Sequence, residues 1–288
     1  MVAFHGLGQR ASAFAAQTGL VGATRAVGEV LVLPESHGPA FNDGRLGGGG
    51  PRDDMFTLAV IGQLTGRGWV DPGRVTVAGY SNGAGMAMAV AATHPDAVAA
   101  VVSIDGELIA APGAPRPIGP VQAVLVHGTT DRVQPWAGRR AGGLTWPSYV
   151  SVLATVHAWV TADHAVTPVE SILVARPAPS PAGATPPGRG PVPAGPTRPA
   201  GSPVPPRTPV VEDIPMASGV VGVMTWAPGP SGAGVVLYTV HGMGHRWPVT
   251  SPAAAGTPND TLEPLDATTV VVATAASVTR QGRRAALM

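Results

Sequence analysis

The sequence predicts an α/β fold with a mostly parallel central sheet flanked by helices. Short apolar runs alternate along the chain with helical patterns, which is typical of parallel strands joined by crossover helices. The runs are almost continuously aliphatic, as expected of strands that are covered on both faces. A chain of 288 residues with 44% hydrophobic and 12% charged residues contains enough apolar material for a sizeable core.

Six segments are predicted as strands because they are short, apolar and bounded by turn-forming residues. In chain order they are Val2–Phe4, Glu29–Leu33, Arg74–Ala78, Ala99–Ile104, Val121–Val126 and Val235–Val240. The segments between them predict helices by periodicity and composition. These helices lie at about Ser12–Ala26, Asp53–Gly66, Gly83–Thr93, Ser148–Ala162 and Asp266–Thr279.

One proline-rich segment breaks this alternation. Between Pro177 and Pro209 lie 13 of the 32 prolines of the chain. Proline removes backbone donors, and the segment has little apolar mass, so neither a helix nor a central strand is expected. We predict one domain over residues 1–288 with a disordered or polyproline-like insertion at about 176–210. A rigid spacer between two domains is the alternative.

Composition excludes several classes of function. The net charge is +1 with no basic block, so a nucleic-acid partner is not expected. Cysteine is absent, which excludes thiolate metal sites and a cysteine nucleophile. No apolar run is long enough for a membrane span, and no metal-ligand spacing is present. We therefore expect neither a membrane segment, nor a metal, nor an organic cofactor; the oligomeric state is not predicted.

The stretch Gly79-Tyr80-Ser81-Asn82-Gly83 matches the pattern G-x-S-x-G. It follows an apolar strand and precedes a helix, which is the setting of a nucleophile elbow, a sharp turn that exposes a reactive serine. The glycines on either side would let the strand and the helix pack closely. A serine that only caps the helix is the alternative.

A serine nucleophile needs a base, and the base needs an orienting acid. Asp131 follows a buried strand within VQAVLVHGTTDRVQP, and His245 follows another within VVLYTVHGMGHRWP. The order serine, acid, histidine is that of the α/β-hydrolases. Asp131 could instead cap a turn or form an ion pair. His241 is the second candidate for the base, and His127 is predicted to be structural.

A tetrahedral intermediate needs two donors for its oxyanion. The main-chain N–H of Asn82, directly after the serine, is one candidate. The second is the N–H of Leu7, in the loop HGLG after the first strand. We expect His5 to organise this loop by hydrogen bonding.

Six motifs in this order resemble the polyhydroxybutyrate depolymerase and feruloyl esterase family of α/β-hydrolases. They are HGLGQ, LPESHGPAFNDGR, DDMFTLAVIGQL, VDPGRVTVAGYSNGAGMAM, LVHGTTDRVQP and LYTVHGMGHRWP, within residues 1–162 and 235–276. The resemblance implies an esterase with Ser81 as nucleophile, Asp131 as acid and His245 as base. It also implies secretion, whereas the absence of a signal peptide implies a cytoplasmic protein if Met1 is the true start.

The chain departs from this family in three places. Family members usually carry two further strands before the HG loop, so N-terminal strands are expected to be missing. Met243 stands where glycine is more usual, and Arg246 where a small polar residue is common. The third departure is the proline-rich insertion.

The substrate is less well predicted than the chemistry. Phe41, Trp136 and Trp247 lie near loop ends and could contact an aromatic acyl group or a polymer, or could simply pack the loops. The resemblance alone suggests that Asn42 and Asp43 shape the acyl pocket. Two other functions stay open: a catalytically dead or truncated hydrolase remnant, and a serine peptidase.

Overall fold

A seven-stranded sheet forms the centre of the computed structural model, which describes residues 1–46, 49–140, 147–166, 168–174, 220–249 and 264–280. The strand order is β1-β2-β3-β4-β7-β6-β5. The strands are β1 Val2–Phe4, β2 Thr76–Tyr80, β3 Ala100–Ile104, β4 Gln122–Gly128, β5 Pro168–Val174, β6 Val220–Trp226 and β7 Val235–Val240. Pairings from β1 to β4 and between β4 and β7 are parallel, and those of β6 are antiparallel. The mostly parallel sheet is therefore confirmed.

Six α-helices accompany the sheet in the described ranges. They are α1 Ala11–Thr18, α2 Leu20–Ala26, α3 Asp53–Gly66, α4 Asn82–Thr93, α5 Val152–Asp163 and α6 Ala267–Ser277. The single helix predicted at Ser12–Ala26 is two helices, because Gly19 adopts a left-handed φ of 64° and ends the first. Among the described residues, no helix combines the length and apolarity that crossing a membrane would require.

Alternate residues of the strands face two apolar layers. One layer contains Val77, Val101 and Leu125 together with side chains from α3, α4 and α5. The other contains Val102 and Val124 together with side chains from α1, α2 and α6. Helices thus cover both faces, and the carboxyl ends of the parallel strands share one edge, where ligand sites of such sheets lie.

The Glu29–Leu33 segment forms a single bridge instead of the predicted strand. Val32 pairs with Val2 on the outer side of β1, and its carbonyl accepts a hydrogen bond of 2.9 Å from the N–H of Ala3. Because β1 is three residues long, it offers little backbone for a longer pairing.

Sequence reasoning missed β5 and β6. Pro168 opens β5, and Gly222 lies inside β6, and both residues weaken a strand pattern. The proline-rich insertion predicted at 176–210 lies outside the described residues.

Candidate active site

Ser81 occupies the sharp turn between β2 and α4 with φ 56° and ψ −121°. A Cβ on Gly79 would overlap the main chain of Gly83. A Cβ on Gly83 would overlap the main chain of Phe4 and His5 at the end of β1. These overlaps give the physical reason for the two glycines of the motif. A positive φ at a non-glycine residue costs about 1–3 kcal/mol, which the surrounding packing must offset.

His245 bridges Ser81 and Asp131. Its Nε2 lies 2.8 Å from Ser81 Oγ, and its Nδ1 lies 2.6 Å from Asp131 Oδ2. The other carboxylate oxygen, Oδ1, accepts hydrogen bonds from the N–H groups of Val133 (2.7 Å) and Gln134 (2.9 Å). An ionised carboxylate only accepts hydrogen bonds, so Nδ1 carries the ring proton and Nε2 is left to accept the hydroxyl proton of Ser81.

The other two histidines considered at this edge do not line the cavity beside Ser81. His127 is buried, and its Nε2 lies 2.9 Å from the carbonyl oxygen of Gln134. Burial lowers the pKa of His127 to about 4, which keeps the ring neutral. The side chain of His241 lies over β6, with Nε2 3.8 Å from where a Cβ of Gly222 would be.

Leu7 and Asn82 line a cavity of about 310 Å³ together with Ser81 and His245. Asn82 is the first residue of α4, where a main-chain N–H has no partner within the helix. Its side chain is fixed: Oδ1 accepts from the N–H of Phe41 at 2.8 Å. Both predicted oxyanion donors therefore belong to the wall of the same cavity.

The loop that carries Leu7 is stabilised from within. Gly6 N–H donates to Gln9 Oε1 at 2.8 Å, and Gln9 N–H donates to the carbonyl of Gly6 at 3.1 Å. The Nδ1 of His5 lies 2.9 Å from that same carbonyl oxygen, and the ring is buried. These contacts hold the turn at Leu7 beside the serine.

Five polar residues of the cavity wall were missed from the sequence. Gln9 and Tyr80 lie close in sequence to the predicted positions Leu7 and Ser81, and the other three are Arg45, Gln134 and Tyr149. Arg45 forms a buried ion pair with Asp43 at 2.7 Å. Burial raises the pKa of Tyr149 to about 12. Arg45, Gln134 and Tyr149 come from separate loops, so no regular spacing in the sequence connects them.

The three aromatic residues predicted to contact substrate do not line this cavity. Phe41 is buried and packs edge-on against Phe4 with ring centroids 5.2 Å apart. Trp247 is buried and packs edge-on against Phe14 at 5.5 Å. Trp136 packs against the core under α5. Each ring is used for packing, which is the alternative that the sequence left open.

Among the described residues, one group of potential metal ligands gathers at the site: Asp105, Asp131 and His245, with ligand atoms within 4.8 Å of one another. The nitrogens of His245 already contact Ser81 and Asp131. The carboxylate of Asp105 accepts two main-chain hydrogen bonds. These groups satisfy one another, so we assign no metal to them.

No protein-family model matches the chain. The chain is 30% identical over 259 residues to the protein named "Putative esterase NocK" from Nocardia uniformis subsp. tsuyamanensis. This alignment covers 85% of the chain and 64% of that protein, so the chain spans slightly less than two thirds of the relative's length.

Two solved structures extend the comparison. An acetyl xylan esterase from Aspergillus awamori matches with a TM-score of 0.50 at 14% identity, over 86% of this chain and 84% of that one. A "putative hydrolase of the alpha/beta superfamily" from Xanthomonas campestris pv. campestris matches with a TM-score of 0.35 at 20% identity, over 56% and 79%. With its parallel sheet and the sharp turn between β2 and α4, the chain has the α/β-hydrolase fold.

Proposed function

We propose that the protein is a serine esterase that hydrolyses carboxylic esters. The observation that carries this proposal is the pair of contacts at His245, 2.8 Å to Ser81 Oγ and 2.6 Å to Asp131 Oδ2, beside an accessible cavity. The similarity to a protein named as an esterase supports the same class of reaction.

In the proposed first half-reaction, Ser81 Oγ attacks the ester carbonyl carbon while His245 Nε2 takes the hydroxyl proton. Asp131 stabilises the imidazolium that forms. The negative oxygen of the tetrahedral intermediate would accept hydrogen bonds from the main-chain N–H groups of Leu7 and Asn82. His245 then gives its proton to the leaving alcohol, and the acyl group stays on Ser81.

In the second half-reaction water replaces the alcohol. His245 removes a proton from the water, which attacks the acyl-enzyme carbonyl, and the proton then returns to Ser81 Oγ as the acid leaves. Every proton transfer in the two half-reactions passes through His245 Nε2.

The resemblance noted in the sequence suggests a polyhydroxyalkanoate, a feruloyl ester or a related acyl ester as the substrate. The cavity offers apolar contacts from Leu7 and Val133 and polar contacts from Tyr149. An extracellular location is part of the same proposal and rests on the resemblance alone.

The test is hydrolysis of acetyl, butyryl, 3-hydroxybutyryl and feruloyl esters by the wild type and by Ser81→Ala. Because the serine is the nucleophile, we expect kcat/KM to fall on the order of 10³-fold or more in Ser81→Ala. Ser12→Ala, at an exposed position of α1, is the matched control and should behave as wild type.

A folded wild type that is no faster than Ser81→Ala on any ester would refute the proposal and favour a catalytically dead remnant. Faster Ser81-dependent cleavage of peptide amides than of esters would favour a peptidase. Circular dichroism of all three proteins separates loss of function from loss of fold.

A further inference from the structure

Asp105 is a buried carboxylate at the edge of the sheet where the catalytic groups meet. It directly follows β3 and has no exposed surface. Its backbone has φ 46°, a left-handed conformation that is unfavourable for a residue with a Cβ. Burial raises the pKa of the Asp105 carboxyl group. A buried carboxyl group and an unfavourable backbone at the same position call for a compensating role.

The carboxylate of Asp105 joins the two loops that carry the acid and the base. Oδ1 accepts from the N–H of Gly128 at 3.0 Å, three residues before Asp131. Oδ2 accepts from the N–H of Arg246 at 2.9 Å, directly after His245. One rigid planar group therefore fixes the bases of both loops relative to each other.

Asp105 is close to the catalytic groups without reaching the substrate cavity. One of its oxygens lies within 4.8 Å of ligand atoms of both Asp131 and His245. Asp105 is not among the residues that line the cavity beside Ser81. Other titratable groups near Asp105 are His127, whose Nδ1 lies 3.9 Å from Oδ1, and Tyr80, Glu107 and Arg246. The side chain can therefore act on the reaction through the positions of the acid and the base.

We propose that Asp105 is a positioning residue that sets the distance and orientation between His245 and Asp131 by holding the main chains of Gly128 and Arg246. The expected effect of Asp105 on turnover rests on the proposed esterase function. The expected effect of Asp105 on the His245–Asp131 hydrogen bond is independent of that function.

The backbone after β3 is held in place by other contacts as well. A Cβ on Gly106 would overlap the Cβ of Ala84 in α4. Ser103 Oγ donates to the carbonyl of Gly106 at 3.0 Å. Substitution of Asp105 is therefore expected to release the two loops while the end of β3 stays against α4.

Two variants distinguish the effect of losing the carboxyl group from the effect of backbone strain. Asp105→Gly removes both acceptors and tolerates φ 46°, so strain cannot explain a loss. Asp105→Asn keeps the shape and one oxygen acceptor. Glu107→Gln is the matched control: Glu107 is a neighbouring buried carboxylate, and its oxygens accept no hydrogen bond from the described residues.

We expect kcat to fall about 10- to 100-fold in Asp105→Gly and less in Asp105→Asn, because small displacements of catalytic groups slow the chemical step. KM should stay within about twofold, because Leu7, Arg45 and Tyr149 of the cavity wall lie outside the two loops that Asp105 holds. The far-downfield proton resonance of the His245–Asp131 hydrogen bond should move or broaden in Asp105→Gly and persist in Glu107→Gln.

Wild-type kcat and an unchanged resonance in Asp105→Gly would overturn the inference. A raised KM at constant kcat, or equal losses in Glu107→Gln, would also overturn it. If the wild type shows no Ser81-dependent turnover but the resonance responds as expected, the esterase proposal fails and the positioning role stands. Should Asp105→Gly fail to fold, the kcat and resonance of Asp105→Asn decide.

Discussion

The two oxygens of Asp131 have different tasks. Oδ1 is held by the main-chain N–H groups of Val133 and Gln134, and Oδ2 is left for His245 Nδ1. The main-chain contacts orient the carboxylate, and the carboxylate selects the tautomer of the histidine. In the proposed mechanism that tautomer determines whether Nε2 can take a proton from Ser81.

Asp131→Asn should therefore lower kcat by about 10³- to 10⁴-fold with little loss of stability. The asparagine oxygen can replace Oδ1 as acceptor, which turns the amide NH₂ toward His245 Nδ1. The ring proton must then move to Nε2, where it faces Ser81 as a donor. Steady-state kinetics on one ester measure the loss.

The double variant Ser81→Ala/Asp131→Asn is the control for this prediction. Residues that act as one unit are not additive, so the double variant should be no slower than Ser81→Ala. A further loss of several hundredfold in the double variant would mean that Asp131 acts independently of the serine.

Ser81, Asp131 and His245 could be proposed from the sequence because each follows an apolar strand at the same sheet edge. Asp105 has the same signal: it directly follows β3. It was missed because no chemical role in an acyl transfer called for a second acid. The contact on which its proposed role depends, to the N–H of Arg246, spans 141 positions of the chain.

The β2–turn–α4 unit owes its geometry to small residues. From Asn82 to Ala92 every residue of α4 is buried. The helix lies against β1, β2 and β3, and its sequence of alanine, glycine and methionine lets the backbones approach closely. Gly83 is as tightly enclosed as Gly79, since a Cβ there would overlap the main chain of Phe4 and His5.

Gly83→Ala should lower the free energy of unfolding by roughly 2 kcal/mol or more, because backbone atoms of β1 must move to admit the methyl group. Activity should fall as well, since His5 leads into the loop of Leu7.

Gly62→Ala is the opposite case: Gly62 is an exposed position of α3 with open space around its Cα. It should stabilise the protein by about 0.5–1 kcal/mol. Urea unfolding of both variants tests the contrast, which equal midpoints would contradict.

Elements with a strong local signal were predicted within a few residues, whereas elements that depend on distant partners were not. Asp53–Gly66 was predicted with the observed bounds, and Val235–Val240 likewise. The antiparallel pair β5–β6 lies at the end of the sheet, and its pairing with β7 compensates for a proline and a glycine that weaken its local pattern. Pairing with distant strands, rather than local sequence preference, therefore determines that β5 and β6 form.

At the scale of the molecule, the layer arrangement follows from the sequence but the cavity wall does not. Continuous aliphatic strands between amphipathic or apolar helices leave few alternatives to a covered parallel sheet. Arg45, Gln134 and Tyr149 meet because three loops end at one edge. Loop paths depend on packing between distant parts of the chain, which periodicity does not describe. The shape and polarity of the cavity therefore depend on features that the sequence pattern does not reveal.

Asp163 connects the end of α5 to the start of β4, and its burial makes global stability depend on pH. It ends α5, and its Oδ1 accepts from the N–H of Val121 at 2.9 Å just before β4. Its Oδ2 is buried and has no partner among the described residues. Burial raises the pKa of Asp163 to about 7, so the folded state keeps a proton that the unfolded chain releases near pH 4.

The folded state binds more protons than the unfolded state between about pH 4 and pH 7, so stability falls as the pH rises through this window. Asp163→Asn keeps the acceptor for Val121 and cannot ionise. We expect the variant to gain roughly 2–4 kcal/mol over the wild type between pH 4 and pH 8, measured by urea unfolding at both values. Asp96→Asn, at an exposed position, should retain the wild-type pH dependence. Parallel pH profiles for Asp163→Asn and the wild type would show that this carboxylate is ionised in both states, and that the buried oxygen is solvated in the folded protein.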